Sequence, residues 1–303
     1  MPVELKGNIL VTGANRGIGL ELVKQLAETT GQEAHIYACS REPEGSRTEA
    51  LRQLTTRHPG KITIIKLGKN NPPSFNSAYT SNPISKYVAD EESISAAVQA
   101  VQDQIGDGGL NILINNAGIR KPAFSGALSA TKKIDMMEVY ETNVVGPFTI
   151  AKMFLPLLKK AAQRDSSAKG NDNKTACSSA IINISTAISS IEKCPETFSA
   201  AQMYPYRISK AALNMLTRCQ AEDFKTHNIV VTAIHPGWVQ TEMGGEKSTR
   251  FLSSDFLLLC VCCLPQAPLT TVDSVLGMLS VISSLSNKDS GMLLDWQGNS
   301  IPW

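Results

Sequence analysis

Ile9-Leu10-Val11-Thr12-Gly13-Ala14-Asn15-Arg16-Gly17-Ile18-Gly19 is the stretch from which the rest of the chain is read. It opens with an apolar run too short for a helix and suited to a buried strand. Glycines stand at 13, 17 and 19, and Leu20 to Ala27 then carries helical periodicity. A strand, a glycine turn and a helix start in that order make a phosphate cradle. Glycine lets the backbone approach a pyrophosphate closely, while the helix N–H groups and dipole face its negative charge. Gly13, Asn15, Arg16, Gly17, Ile18 and Gly19 are therefore the expected phosphate-side residues. A glycine turn alone would mean little, because glycine marks turns everywhere; the flanking strand and helix supply the specificity.

The chain of 303 residues is long enough for one large α/β domain with a full core. A net charge of +2 offers no field for nucleic acid, so no such partner is expected. Met1 to Gly7 leads directly into the first strand without a secretory pattern. The longest apolar run, Phe256 to Leu264, falls far short of the roughly 20 residues that span a bilayer, so no membrane association is expected. The seven cysteines (39, 177, 194, 219, 260, 262 and 263) are scattered, with no paired CxxC spacing. That predicts neither a disulfide framework nor a metal site, and a reducing, cytoplasmic setting.

Further on, strands alternate with helices. His35 to Cys39 reads as a second strand ending at Ser40-Arg41, the position beside an adenosine ribose in a βαβ unit. An acidic residue there would bind the 2′-hydroxyl of NAD. Arg41, with Arg16 in the glycine turn, suits a 2′-phosphate instead and predicts NADPH. A helix over Arg47–Arg57 precedes a third strand, Ile62 to Leu67. Residues 68–87 are polar and aperiodic, an unusual length of loop for such a domain. A helix resumes from Asp90. The fourth strand, Leu110 to Ile114, runs into Asn115-Asn116-Ala117-Gly118. A long helix is expected from Met136 to Ala162 with Asn143 in its first half, then a polar stretch from Arg164 to Ser178. The fifth strand, Ala180 to Ile184, ends at Ser185-Thr186. The next helix carries Tyr206 and Lys210 near its start and continues through Leu213, Leu216 and Cys219. The sixth strand, Ile229 to Ile234, ends at His235-Pro236-Gly237. A helix over Thr271–Leu285 and a strand near Met292–Trp296 close the chain.

This alternation predicts a doubly wound parallel sheet of Rossmann type, helices on both faces, in a single domain over 1–303 with irregular insertions at about 68–87 and 246–266. Ligands bind such sheets outside the carboxyl ends of the strands. Gly13, Arg41, Asn115, Ser185, Thr186, Pro236 and Gly237 all follow strand ends, and Tyr206 and Lys210 need only the first turns of one helix to join them.

Thr12-Gly13-x-x-x-Gly17-x-Gly19, Asn115-Asn116-Ala117-Gly118, Asn143, the hydroxyls at 185 and 186, Tyr206-x-x-x-Lys210 and Pro236-Gly237 resemble the short-chain dehydrogenase/reductase family over nearly the whole chain. Ala38-Cys-Ser-Arg41 and the ending Asp295 to Trp303 are similar to its sniffer and C-factor branch of carbonyl reductases. The resemblance implies an NADPH-dependent reductase of aldehydes, ketones or quinones, and a dimer or tetramer. It also implies that Asn115, Ala117 and Gly118 flank the adenine and ribose side, and that Pro236, Gly237, Val239 and Thr241 edge the nicotinamide.

The chemistry asks for the same residue types. Hydride delivery to a carbonyl needs a proton for the nascent alkoxide and a donor to polarise the oxygen. Tyr206 is the expected acid. Lys210, one helical turn on, is expected to favour tyrosinate by its charge and to hold the nicotinamide ribose. Asn143 is expected to support a water that extends the proton path. Thr186 stands in register for the polarising hydroxyl, with Ser185 the alternative if the strand end bulges.

Two departures stand against the family pattern. Leu67 is followed by Gly68-Lys69 rather than an acidic residue, and Glu246 to Gln266 separates Gly245 from Ala267. Each segment reads either as a surface insertion or as translated intron: Gly68-Lys69 can be encoded GGTAAG, and Phe256 to Gln266 as a pyrimidine tract ending in CAG. Spoiled access to the substrate side would leave a different function, a catalytically weak nucleotide-binding signalling module.

Overall fold

Ile9, Leu10 and Val11 are each wholly inaccessible to solvent, yet alternation sends them to opposite faces of the same strand. Ile9 and Val11 pack with Leu22 and Leu26 in the cluster that also holds Met278 and Leu279, whereas Leu10 packs with Ile94, Val101 and Phe154. A strand covered on both sides has no polar face to show, which is why its sequence is continuously apolar.

The computed structural model describes residues 5–68, 90–122, 126–168, 179–244 and 267–303. Its sheet is seven-stranded and parallel throughout, in the order β3-β2-β1-β4-β5-β6-β7. The strands are β1 Gly7–Val11, β2 Ala34–Ser40, β3 Ile62–Lys66, β4 Ile112–Asn115, β5 Ser179–Ile184, β6 Ile229–His235 and β7 Leu293–Asp295. The helices are α1 Gly17–Thr29, α2 Glu49–Arg57, α3 Glu91–Ile105, α4 Lys133–Tyr140, α5 Gly146–Ala168, α6 Cys194–Thr197, α7 Tyr204–Phe224 and α8 Thr271–Ser284. Side chains of α1, α2 and α8 cover one face, and those of α3, α5 and α7 the other. The strand order reverses between β1 and β4, which opens the crevice where such sheets bind ligands.

Several boundaries differ from expectation. The helix anticipated over Met136–Ala162 begins at Lys133 and is interrupted by a π-helical turn, Glu141–Val145, between α4 and α5. A π turn adds one residue to a helical turn without ending the helix, so a continuous helical reading passes over it. Residues 46–48 form a 3₁₀ turn, so α2 starts at Glu49 rather than Arg47. Asp90 lies outside α3 and caps it, accepting the Ser93 N–H at 3.3 Å. The helix α7 does continue through Leu213, Leu216 and Cys219, of which Leu213 is buried and Cys219 exposed. Cys177, Cys260, Cys262 and Cys263 lie outside the described residues, as do 69–89 and 245–266.

The described chain is joined across both of those segments. Gly68 N–H donates to Ser93 Oγ at 2.6 Å, across the gap between β3 and α3. Gln240 Nε2 donates to the Ala267 carbonyl at 3.0 Å, and Val239 pairs with Leu269 as an isolated parallel bridge.

Candidate active site

The glycine turn after β1 is held from β4. The Thr12 hydroxyl oxygen accepts the N–H groups of Asn116 and Ala117, both at 3.0 Å, while Asn116 Nδ2 donates to the carbonyls of Thr12 and Gly13 at 2.9 and 3.2 Å. Gly13 adopts φ +64°, in the region that favours glycine. A Cβ on Gly19 would lie 2.2 Å from the Gly13 carbonyl oxygen, so helix and turn touch backbone to backbone. The first turn of α1 has neither a side-chain cap nor an acidic residue. Its N–H groups thus meet the requirements of an anion site. Beside it is a cleft lined by Thr12, Gly13, Asn15, Cys39, Ser40, Arg41, Leu67 and Ala117. The Ser40 hydroxyl in that cleft is already bonded to Thr48 Oγ1 at 3.1 Å. Arg16 pairs with Glu242.

Asn115 takes a different part from the one expected. It is buried, and its Nδ2 donates to Asn183 Oδ1 on β5 at 2.9 Å. The neighbouring Asn116 is the residue that ties the turn.

On the other side of the crevice, α7 presents a buried polar stripe to the end of β5. Thr217 Oγ1 accepts from Asn183 Nδ2 at 2.9 Å. Asn214 Oδ1 accepts from the Ser185 hydroxyl at 2.6 Å, and Asn214 Nδ2 donates to Ser189 Oγ at 2.8 Å. Lys210 Nζ donates to the Ile184 carbonyl at 2.6 Å. Arg207 reaches past the strand to Ile188, Thr197 and Ala201. Residues 207, 210, 214 and 217 recur at helical spacing, so this face of α7 is buried and polar at once. Ser185 is consequently turned inward and its hydroxyl is committed to Asn214. Thr186, the next residue, faces the opposite way on extended backbone and is partly exposed.

Tyr206, in the first turns of α7, is partly exposed, and Lys210 Nζ lies 5.8 Å from its ring centre. A Cβ on Gly118 would lie 3.3 Å from Asn143 Oδ1 and 3.6 Å from Lys210 Nζ, which brings these residues together. Asn143 is fully buried in the π-helical turn. Its Oδ1 accepts the Ile119 N–H at 2.9 Å, and its Nδ2 donates to the Ile119 carbonyl at 2.9 Å and to Ser209 Oγ at 3.0 Å. The Asn143 side chain is therefore a clamp on the chain beyond β4.

The electrostatics reverse one expectation. Burial pushes the Tyr206 phenol up to about 12, with only the charge of Arg120 pulling it down. Burial likewise drives Lys210 down to about 8. Desolvation is the larger effect on the phenol, which is held protonated.

The loop after β6 completes the site. The Pro236 carbonyl accepts the Ser274 hydroxyl at 2.6 Å. Gly237 has φ +86°, and a Cβ there would lie 2.7 Å from Leu269 Cδ2. Val239 is buried in its pairing with Leu269. Thr241 crosses the glycine turn, 3.6 Å from where a Gly17 Cβ would stand. Residues 236–241 and the first turn of α1 thus meet over the same edge of the sheet.

A family model described as short chain dehydrogenase matches residues 76–250. The chain belongs to the short-chain dehydrogenase family. An NADPH-bound carbonyl reductase from chicken fatty liver is 38% identical to this short-chain dehydrogenase, covers 99% of it and 100% of itself, and superposes with a TM-score of 0.77. The carbonyl reductase Sniffer of D. melanogaster is 29% identical, with 99% and 100% coverage and a TM-score of 0.77. The C-signal protein of Myxococcus xanthus is 32% identical over 209 residues, 68% of this chain and 100% of its own. Among the described residues, no helix of this short-chain dehydrogenase is long and apolar enough to cross a membrane.

The sequence names Thr12 and Asn116 within motifs but gives them no role of their own, and it misses Leu67, Asn183, Arg207, Asn214 and Thr217 as parts of this site. A signal exists for three of them: polar residues at 207, 210, 214 and 217 fall on one helical face. A polar stripe is ordinarily the solvated side of a helix, and only the sheet end facing α7 makes it an interior one.

Proposed function

We propose that this protein is an NADPH-dependent reductase of carbonyl compounds: aldehydes, ketones or quinones. The single observation that carries the reading is the stripe on α7, which sets Tyr206 and Lys210 beside the hydroxyl-bearing end of β5 and next to a glycine cradle with an uncapped helix start. NADPH when bound supplies the hydride. Gly13, Gly17, Ile18 and Gly19 hold its pyrophosphate against the α1 N–H groups, and Asn15, Ala117 and Gly118 flank its adenosine half. Arg41 and Arg16 recognise the 2′-phosphate. The Arg16–Glu242 pair is exposed, and such pairs contribute at most about 1 kcal/mol, so a phosphate dianion competes for Arg16 readily. Pro236, Gly237, Val239 and Thr241 edge the nicotinamide side.

Thr186 donates its hydroxyl to the carbonyl oxygen, because Ser185 has already given its own to Asn214. Tyr206 is protonated at neutral pH and delivers its proton to the nascent alkoxide. Lys210 holds the ribose and returns the phenol towards its working range as its charge is engaged. The Asn143 amide is taken up by Ile119 and Ser209, so support for a water beside Lys210 falls to its main chain.

The likeness to a protein named C-signal favours a second reading, a nucleotide-binding signalling module with little turnover. One experiment separates the two. Purified protein is mixed with NADPH and a panel of aldehydes, ketones and quinones, and nucleotide absorbance is followed. Turnover that Tyr206→Phe abolishes, with nucleotide binding intact, is the expected result; binding without turnover across the panel sinks the reductase reading.

A further inference from the structure

The chain from Ala187 to Pro205 begins beside one proposed catalytic hydroxyl, Thr186, and ends beside the other, Tyr206. What holds that span in place sets the distance between them. Its near end is tied to α7 through Ser189 and Asn214, and its far end, already the start of α7, is tied to the chain beyond β4 by the Tyr204 N–H, which donates to the Gly126 carbonyl at 2.9 Å. Its middle is held to the C-terminus by the Glu192 N–H, which donates to the Trp303 carbonyl at 2.9 Å, and to α7 by the Arg207 side chain. Arg207 is 7% exposed, and its Nε donates to the Ala201 carbonyl at 2.5 Å. Nη1 donates to the Ile188 carbonyl at 2.9 Å and to Thr197 Oγ1 at 3.1 Å, and Nη2 to the Thr197 carbonyl at 2.6 Å. The guanidinium carbon also sits 5.7 Å from the centre of the Phe198 ring. The fixed planar fork of arginine suits this task, because several acceptors lie in different directions and a lysine ammonium would meet only some of them.

The acceptors are three carbonyls and a hydroxyl, not a carboxylate. Burying a cation against neutral acceptors is a costly way to pin a loop that serves only as scaffold. Arg207 also follows Tyr206 directly and lies one helical turn before Lys210 on the same stripe, so any shift of its fork is shared with both. We infer that Arg207 is a positioning residue that sets the separation of the Thr186 hydroxyl and the Tyr206 phenol by bracing residues 187–201 against α7. The inference rests on the reductase reading above.

The test compares the full-length wild type with Arg207→Met, Arg207→Lys and Arg207→Ala. Misplacing a reacting group by about 1 Å costs about 10²-fold, so kcat for carbonyl reduction is expected to fall by up to about that factor in Arg207→Met, with NADPH binding unchanged. Arg207→Lys recovers little, and added guanidinium ion restores part of the rate of Arg207→Ala. Amide exchange quickens across 187–203 and stays as in the wild type across β1 and α8. A folded variant with wild-type kcat and KM, or exchange unchanged across 187–203, overturns the inference. If Arg207→Met does not fold, Arg207→Lys and the guanidinium rescue carry the same comparison. A wild type that binds NADPH and reduces no carbonyl removes the reductase reading; the exchange comparison then decides the brace alone.

Discussion

Ser185 and Thr186 are adjacent hydroxyls with different fates, and the difference is measurable. Thr186→Val removes a donor aimed away from the core. The expected loss in kcat is roughly 10²–10³-fold, with little change in Tm. Ser185→Ala removes the buried donor to Asn214 Oδ1 and is expected to cost about 1–3 kcal/mol of stability, with the smaller effect on rate. Urea unfolding and steady-state kinetics on the two variants check both. Lys210 makes a second claim at this scale. Unfolded, it keeps its proton to 10.5; folded, burial makes it release the proton near 8. Between those values the unfolded chain binds more protons, so this group makes stability rise with pH, by at most about 1.4 kcal/mol per unit. Below about 8 both states are protonated and the dependence vanishes. Tyr206 acts in the opposite sense higher up: held up to about 12, it makes stability fall with pH from 10. Urea unfolding of the wild type and Lys210→Met between about pH 7 and 10, a window set by those shifts, should show the rise only in the wild type.

The turn between β1 and α1 is an element whose sequence and geometry agree closely. Gly19 is glycine because a Cβ would meet the Gly13 carbonyl at 2.2 Å and Asn116 Nδ2 at 2.5 Å. Gly19→Ala is expected to push helix from turn, lowering Tm and abolishing NADPH binding by nucleotide fluorescence. Gly31, with nothing within 4 Å of where a Cβ would stand, is the control: Gly31→Ala should be neutral or stabilise by up to about 1 kcal/mol. The long helix shows where element-level reading stops. Read as one helix from Met136 to Ala162, it is instead divided at Glu141–Val145, where the backbone widens into a π turn. That turn buries Asn143 and lets its amide grip both polar groups of Ile119. Nothing in the run of residues marks the switch, because it is stabilised by the chain segment it grips rather than by local preference.

Across the whole molecule, the parallel sheet and its helical cover follow from the alternation of apolar runs and amphipathic stretches, and both are legible in the sequence. The expected strands all exist, with ends displaced by a residue or two. The insertions expected at about 68–87 and 246–266 overlap residues 69–89 and 245–266, and the described chain on either side is already joined, Gly68 to Ser93 and Gln240 to Ala267. We therefore expect a chain in which 69–89 and 245–266 are replaced by short glycine-serine linkers to unfold cooperatively and to retain NADPH binding. Loss of either in thermal unfolding and nucleotide titration would mean that these segments are part of the fold's closure. Sequencing the transcript decides separately whether they are coded insertions or retained intron.

The amino-acid order alone determined which residues could form buried strands, where glycine had to replace a side chain, and which chemistry-bearing residues would gather at the carboxyl edge of the sheet. These follow from period, size and strand polarity, properties that a chain carries before it folds. Only the tertiary structure decided that Asn116 tends the glycine turn while Asn115 bonds Asn183, that Ser185 looks inward while Thr186 looks out, and that the polar stripe of α7 is buried. Each of those depends on which donor finds which acceptor across elements far apart in the chain, and a buried polar group takes its role from the partner that satisfies it.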